Sequence, residues 1–384
     1  MNYSVNDYQP NMDVLDSRIK DQIIDRYEAL KDKKVTKADV LASLEKDQLN
    51  EEDYFNLLSD AGLDLLDQMG ALAKKRRGQY FGNNVCLFSP IYIANYCNNS
   101  CRYCGFRSKS PIQRAKLTEE EIDLEMKSLS ESGIEDVLIL TGESQEFSSI
   151  DYITSSVEIA KKYFTSIGLE VYPANVEDYK KLHKAGADYV TVFQESYNKE
   201  AYDFYHPFGH KRSWVYRVET QERALMAGMR GVGFGALFGL ADPVEDAFKL
   251  AYHASLIQKK YPHGEIAISL PRIRPTQGAD NTLNFNYVSD KKFFQILLAI
   301  RIYLPFASIT LSTRESKDFR DLAVQYGATK ISASVDTSIG HRSKETKDSG
   351  DEQFAINDTR TTEDAVKDLL NLGMTPVYTD YLRL

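Results

Sequence analysis

From residue 85 onward, eight short apolar runs alternate with longer amphipathic stretches, and no other feature limits the possible folds as strongly. The runs lie around Ile91, Val137–Thr141, Leu169–Pro173, Tyr189–Gln194, Val232–Phe238, Ile266–Arg272, Ile309–Ser312 and Ile331–Val335. Their length and apolar content predict buried strands. Between them, Thr118–Ser132, Val176–Ala185, Asp246–Lys260, Lys291–Leu304 and Arg314–Tyr326 read as amphipathic helices. Strands joined by helical crossovers must run parallel. The class is therefore α/β, and eight such units predict a (β/α)8 TIM-type barrel; periodicity alone also allows an open doubly wound sheet. A barrel carries its chemistry on the loops after the strands.

The loop after the first run reads Asn95-Tyr96-Cys97-Asn98-Asn99-Ser100-Cys101-Arg102-Tyr103-Cys104-Gly105-Phe106, with three of the chain's four cysteines spaced C-x3-C-x2-C. Thiolates this close at a strand end predict a metal-binding loop. A cubic iron–sulfur cluster takes four thiolates, so three leave one iron open to a substrate or cofactor. A zinc-binding or scaffold protein is the alternative of a different class, but structural zinc wants four ligands. The His206-x3-His210 pair lies about a hundred residues beyond Cys104, where a zinc finger closes within ~12 to 15. A disulfide is disfavoured, since Met1–Asp7 is no export leader. Cys86 lies eleven positions before Cys97, ~36 Å along an extended strand, and reads as a small buried hydrophobe.

A length of 384 residues, 42% hydrophobic and 27% charged, suits one large domain with appendages. The expected division is a helical extension over 1–80, the barrel over 81–345, and a C-terminal extension over 346–384 packing on the barrel. Within the first part, Val14–Arg77 has helical periodicity, with Thr36 and Asn50 placed as N-caps. A net charge of -9 argues against nucleic acid or an anionic membrane as partner. No apolar run approaches the ~18 residues of a membrane span, and the expectation is a cytoplasmic protein.

The cysteine spacing, with an aromatic residue just before the last cysteine, resembles the signature of the radical S-adenosylmethionine (SAM) enzymes. The resemblance implies a [4Fe-4S] cluster on Cys97, Cys101 and Cys104, SAM on its open iron, and Tyr103 beside the cofactor. It also implies that the cofactor supplies a 5'-deoxyadenosyl radical, which the protein aims at one hydrogen.

With that resemblance in hand, the strand ends gain candidate roles. Thr141-Gly142-Glu143 resembles the segment that receives the SAM ammonium. Gln194 and Glu195 offer acceptors to ribose hydroxyls and ammonium. Arg217 is a candidate for the SAM carboxylate, with a surface ion pair as the bland alternative. Gly231, Gly233 and Gly235 fail G-x-G-x-x-G and instead follow strand period two; they clear one face, for an adenosyl group or for tight packing alone. A free amino acid presents a carboxylate that arginine binds bidentately. Arg314, in Leu311-Ser312-Thr313-Arg314-Glu315, is the first candidate, with Ser312 beside it and a hydroxyl of Ser332 or Ser334 as helper. For Arg272 and Arg274 a substrate role and a buried ion pair stand level.

The order of these segments over about residues 75–375 is similar to the tyrosine lyases among the radical SAM enzymes. That implies cleavage of the Cα–Cβ bond of L-tyrosine to 2-iminoacetate (dehydroglycine) and p-cresol, with flavodoxin or ferredoxin as reductant. The hydrogenase-maturase branch carries a second cluster on C-terminal cysteines, and no cysteine follows Cys104 here. The resemblance thus favours the branch serving thiamine synthesis, which hands its product to thiazole synthase. One segment departs from the group: Thr337-Ser338-Ile339-Gly340-His341 stands where these lyases carry a glycine pair and a tyrosine, leaving tryptophan or another amino acid as alternative substrates. The polar run Arg342–Glu352 is expected to be a solvated, disordered loop, or else a lid.

Overall fold

Parallel pairing closes the sheet. The computed structural model describes residues 3–274 and 283–379; Pro275, at the end of one arginine segment, and the tail from Asp380 lie outside the described residues. The strands are β1 (Asn84–Ala94), β2 (Asp136–Thr141), β3 (Ser166–Glu170), β4 (Tyr189–Glu195), β5 (Gly231–Ala236), β6 (Glu265–Ser269), β7 (Ser308–Leu311), β8 (Lys330–Ser332) and β9 (Thr375–Val377). Each of β1 to β7 pairs with its successor, and β8 pairs back with β1, so eight parallel strands form a closed barrel. The ninth strand adds to the start of β1, with Asn84 opposite Thr375.

The barrel interior explains much of the strand sequence. Tyr189, Thr191 and Phe193 face inward from β4, and β5 answers with glycines. A Cβ on Gly233 would overlap Thr191, and one on Gly235 would overlap the Phe193 ring. The face cleared by these glycines is therefore filled by side chains of the neighbouring strand, and the adenosyl reading of that space does not hold. Lower down, Lys330 donates to Asp136 Oδ2 at 2.6 Å and Tyr189 donates to Asp136 Oδ1 at 2.9 Å.

Two boundaries differ from expectation in ways that matter for the site. The third strand stops at Glu170, because its partners on β2 end at Leu140, and so a carboxylate tops a strand expected to run to Pro173. The helix expected from Arg314 begins at Lys317, where Ser316 caps it through the Phe319 amide, leaving Arg314 in a loop. At the N-terminus, helices Lys37–Leu44 and Glu51–Leu58 start at Thr36 and Asn50, each closed by a reciprocal bond with an aspartate three residues on.

The run Arg342–Glu352 is not a free loop. The carboxylate of Glu125, on helix Glu119–Ser130, accepts from the amides of Arg342 and Ser343 at 3.0 and 2.8 Å and from Thr346 Oγ1 at 2.7 Å. Glu121 accepts from the Asp348 amide at 3.0 Å. Two acidic residues on one helix face thus satisfy the backbone donors of a segment that composition alone marks as solvated.

Candidate active site

The cysteine loop is folded largely through its own backbone. Gly142 N donates to Ala94 O at 2.8 Å, Asn98 N to the Glu143 carbonyl at 3.0 Å, and Ser108 N to Asn99 O at 2.8 Å. A Cβ on Gly142 would overlap the Tyr96 carbonyl, so only glycine lets the end of β2 approach the loop this closely.

Cys97, Cys101 and Cys104 line one cavity with Thr141, Gly142 and Glu143. Cys86 lies at the other end of β1, level with Lys330 and Val377, so three cysteines and not four can serve the cavity. Among the described residues no three His, Cys, Asp or Glu side chains converge on a single-ion position. Three thiols on one cavity suit a cube held at three corners with one iron open, whereas structural zinc wants four ligands. Burial pushes the Cys97 thiol up to about 11 and raises Cys101 and Cys104 as well, so their thiolates need a cation.

Beside the cysteines lies a buried charge quartet. Arg217 Nη1 meets Glu143 Oε1 at 2.9 Å, and Lys211 Nζ meets Glu195 Oε1 at 2.7 Å and Glu143 Oε1 at 3.5 Å. Asn99 Nδ2 donates to Glu143 Oε2 at 2.8 Å, tying the quartet to the cysteine loop. Burial opposes ionisation of Glu143, but Arg217 and Lys211 outweigh it and hold the carboxyl below its usual value. Two carboxylates and two cations sum to zero. The quartet gathers Glu143, Glu195 and Arg217; sequence reasoning missed Lys211, which sits in a short 3-10 turn (His210–Arg212) rather than at a strand end.

Gln194 does not join them. It is the extra residue of a bulge between Phe193 and Glu195, and its amide is buried without a hydrogen-bond partner, outside the cavity. The bulge puts Glu195 at φ +67°, aimed inward. The Tyr103 hydroxyl is taken by His206 Nε2 at 2.8 Å and its ring packs edge-on to Tyr205, while the residue lines a neighbouring cavity with Cys104, Glu195 and Lys211. Thr141 Oγ1 is buried without a partner and faces the cysteines.

A second cavity reaches into the barrel interior, where Tyr189, Thr191 and Phe193 of β4 line it. It adjoins the cysteine cavity at Leu140, Glu170, Phe193 and Gln353, and a third cavity is lined by both Cys104 and Arg314, together with Glu170, Glu195 and Lys211. Arg314 lines the second cavity as well, its guanidinium 3.4 Å from the centre of the Phe354 ring, and no hydrogen bond or ion pair among the described residues ends on that guanidinium. Ser312 and Ser332 line this second cavity too, and Ser332 Oγ is buried without a partner. Ser334 is occupied elsewhere, accepting from the Thr362 amide at 2.8 Å as helix Thr362–Asn371 begins.

Arg272 needs correction as a substrate-binding candidate. Its guanidinium pairs with Glu315 and with Asp290 (2.6 Å), donates to the Val288 carbonyl at 2.9 Å, and lies over Phe293. Arg274 joins the same Glu315 at 3.0 Å. A fully buried carboxylate has claimed both arginines, and sequence showed no sign that Glu315 turns inward.

Glu170 was not anticipated. Burial, then repulsion from Glu195, pushes its carboxyl up to about 7. The available signal was a lone carboxylate in an apolar run, at Leu169-Glu170-Val171.

Comparison with known proteins agrees with this geometry. The Radical SAM superfamily profile matches residues 91–251, and that of the Biotin and Thiamin Synthesis associated domain matches 269–375. Their junction falls between β5 and β7, inside the closed barrel. The chain is 34% identical over 347 residues to the 2-iminoacetate synthase of Salmonella typhimurium, covering 90% of this chain and 91% of that one. It is 33% identical over the same length to the 2-iminoacetate synthase of Escherichia coli, again covering 90% and 91%. The crystal structure of the FeFe-hydrogenase maturase HydG from Carboxydothermus hydrogenoformans superposes with a TM-score of 0.86 at 29% identity, covering 95% of this chain and 86% of that one. No helix among the described residues is long and apolar enough to cross a membrane.

Proposed function

This chain belongs to the 2-iminoacetate synthase family of radical SAM enzymes, and from that premise we propose that it breaks the Cα–Cβ bond of L-tyrosine, giving 2-iminoacetate and p-cresol. The observation that carries this reading is the run of adjoining cavities that sets the three thiols beside Arg314, whose guanidinium has no hydrogen bond or ion pair among the described residues. Cys97, Cys101 and Cys104 would hold the [4Fe-4S] cluster. Bound there, cluster and SAM supply the 5'-deoxyadenosyl radical.

The chain's own residues bind, orient and exclude water. Glu143, Glu195, Lys211 and Arg217 form a preorganised polar wall for the amino acid end of SAM. Thr141 Oγ1 offers it an unused hydroxyl. Arg314 takes the substrate carboxylate through its planar fork, and the orphan hydroxyl of Ser332 is free to assist. The ring of Phe354 braces the guanidinium. Gln353 accepts from the Tyr92 hydroxyl at 3.0 Å and reaches Cys104 Sγ at 3.9 Å, so this C-terminal segment walls the space on the cysteine side. Such a wall keeps water from hydrolysing the imine before a thiazole synthase takes it. A flavodoxin or ferredoxin is the reductant of this reading, and the cytoplasm its compartment.

The test is anaerobic incubation of the cluster-loaded protein with SAM, a reductant and tyrosine. Matching amounts of p-cresol and 5'-deoxyadenosine are expected. Deoxyadenosine formed with tryptophan, and no p-cresol from tyrosine, would reassign the substrate.

A further inference from the structure

The space between the cysteines and Arg314 holds carboxylates of two kinds. Glu143 and Glu195 are paired with Arg217 and Lys211. Glu170 also borders the space, yet no hydrogen bond or ion pair among the described residues ends on its carboxylate. Arg314 is likewise without such a partner and faces the same space. The two are too far apart to pair with each other, since no ion pair of 4 Å or less joins them. A carboxyl group and a guanidinium, each without a partner among the described residues and held apart across one cavity, complement a ligand carrying an ammonium and a carboxylate.

Resting on the reading above, we propose that Glu170 receives the amino group of the substrate while Arg314 receives its carboxylate, so that the pair grips the α-amino acid end at two points. The groups whose charges act on Glu170 agree with this. Glu195 repels its charge, while Arg314, Lys211 and Arg217 favour it, and the last two are already committed to the quartet. An arriving ammonium would offset the repulsion between Glu170 and Glu195. The place of Glu170 at the last residue of a barrel strand makes it rigid, which a two-point grip requires.

The test uses cluster-loaded protein with SAM and no reductant, so that ligands bind without turnover. Dissociation constants are measured for tyrosine, for tyramine, which keeps only the amine, and for 3-(4-hydroxyphenyl)propanoate, which keeps only the carboxylate. Glu170→Gln should weaken tyrosine and tyramine by about tenfold or more and leave the propanoate and SAM within about twofold. Glu170→Asp, which keeps the charge, should fall between wild type and Glu170→Gln. Equal weakening of all three ligands would mean a structural role, and weakening of SAM alone a cofactor role; either overturns the proposal, as does no change. Wild-type protein that binds tyrosine but makes no p-cresol would sink the lyase reading and leave the grip standing. If p-cresol forms and the ligand pattern is absent, the grip fails alone.

Discussion

Replacing Arg217 by methionine tests whether the quartet beside the cysteines is held by charge balance. Methionine keeps much of the stem volume and removes the guanidinium, so the 2.9 Å contact with Glu143 and the 2.6 Å bond from Nε to the Phe193 carbonyl are both lost. Deleting one partner of a buried ion pair typically costs ~3–5 kcal/mol, because the other charge is stranded. Lys211, 3.5 Å from Glu143, still faces it and should hold the loss to the lower end, about 3 kcal/mol. The quartet passes from neutral to one net negative charge. Adding Glu143→Gln restores neutrality, so the double variant should be more stable than Arg217→Met alone, by ~1 kcal/mol or more. The assay is thermal unfolding of cluster-loaded, SAM-free protein under anaerobic conditions at one scan rate, for wild type, both single variants and the double. The sign of the Glu143→Gln effect decides the matter. If that change lowers the midpoint in the Arg217→Met background as it does in wild type, stranded charge is not what the arginine prevents. The acid limb gives a second reading. A depressed Glu143 contributes stability above its unfolded value that is lost as pH falls, and Arg217→Met should flatten that loss.

Three further outcomes are expected. Serine at Cys97, Cys101 or Cys104 should abolish the brown colour and most bound iron of anaerobic preparations, while Cys86→Ser at the far end of β1 retains both; equal iron loss from Cys86→Ser would refute the three-thiol site. Arg314→Lys, which replaces a planar fork with a point charge, should raise the KM for tyrosine by roughly tenfold or more with iron content unchanged, and a KM within about twofold of wild type would remove Arg314 from the carboxylate. Asp246 is pushed up to about 7 by burial, with only Oδ1 bonded, to the Tyr197 amide at 2.7 Å and Ser196 Oγ at 3.1 Å. Its folded value exceeds its unfolded one, so it contributes stability at low pH that is lost as pH rises through about 7. Asp246→Asn should therefore narrow the loss of stability between about pH 5 and pH 7.5, on the order of 2 to 3 kcal/mol for wild type; parallel pH profiles would count against a protonated Asp246.

Repeated short-range pattern determined the parallel α/β class, while closure into a barrel came with the pairing of β1 to β8. Eight apolar runs with helical spacers dictate parallel strands, and the C-x3-C-x2-C spacing announces a cluster loop at the first strand end, because both signals are carried by residues close in sequence. The capping residues Thr36 and Asn50 were readable for the same reason: a cap bonds an amide three residues away. Long-range pairing was not readable. Only the closed barrel brings Glu315 to Arg272 and Arg274, sets Lys211 between two glutamates, and leaves Glu170 and Arg314 on one cavity without a partner among the described residues. Nor does composition reveal that Glu121 and Glu125 bind down a polar segment more than two hundred residues further on. Local sequence specifies which hydrogen bonds a residue makes with its near neighbours. Whether a charged side chain meets a counter-charge or is left free for a ligand depends on which strand ends the barrel brings together, and that was decided by tertiary structure alone.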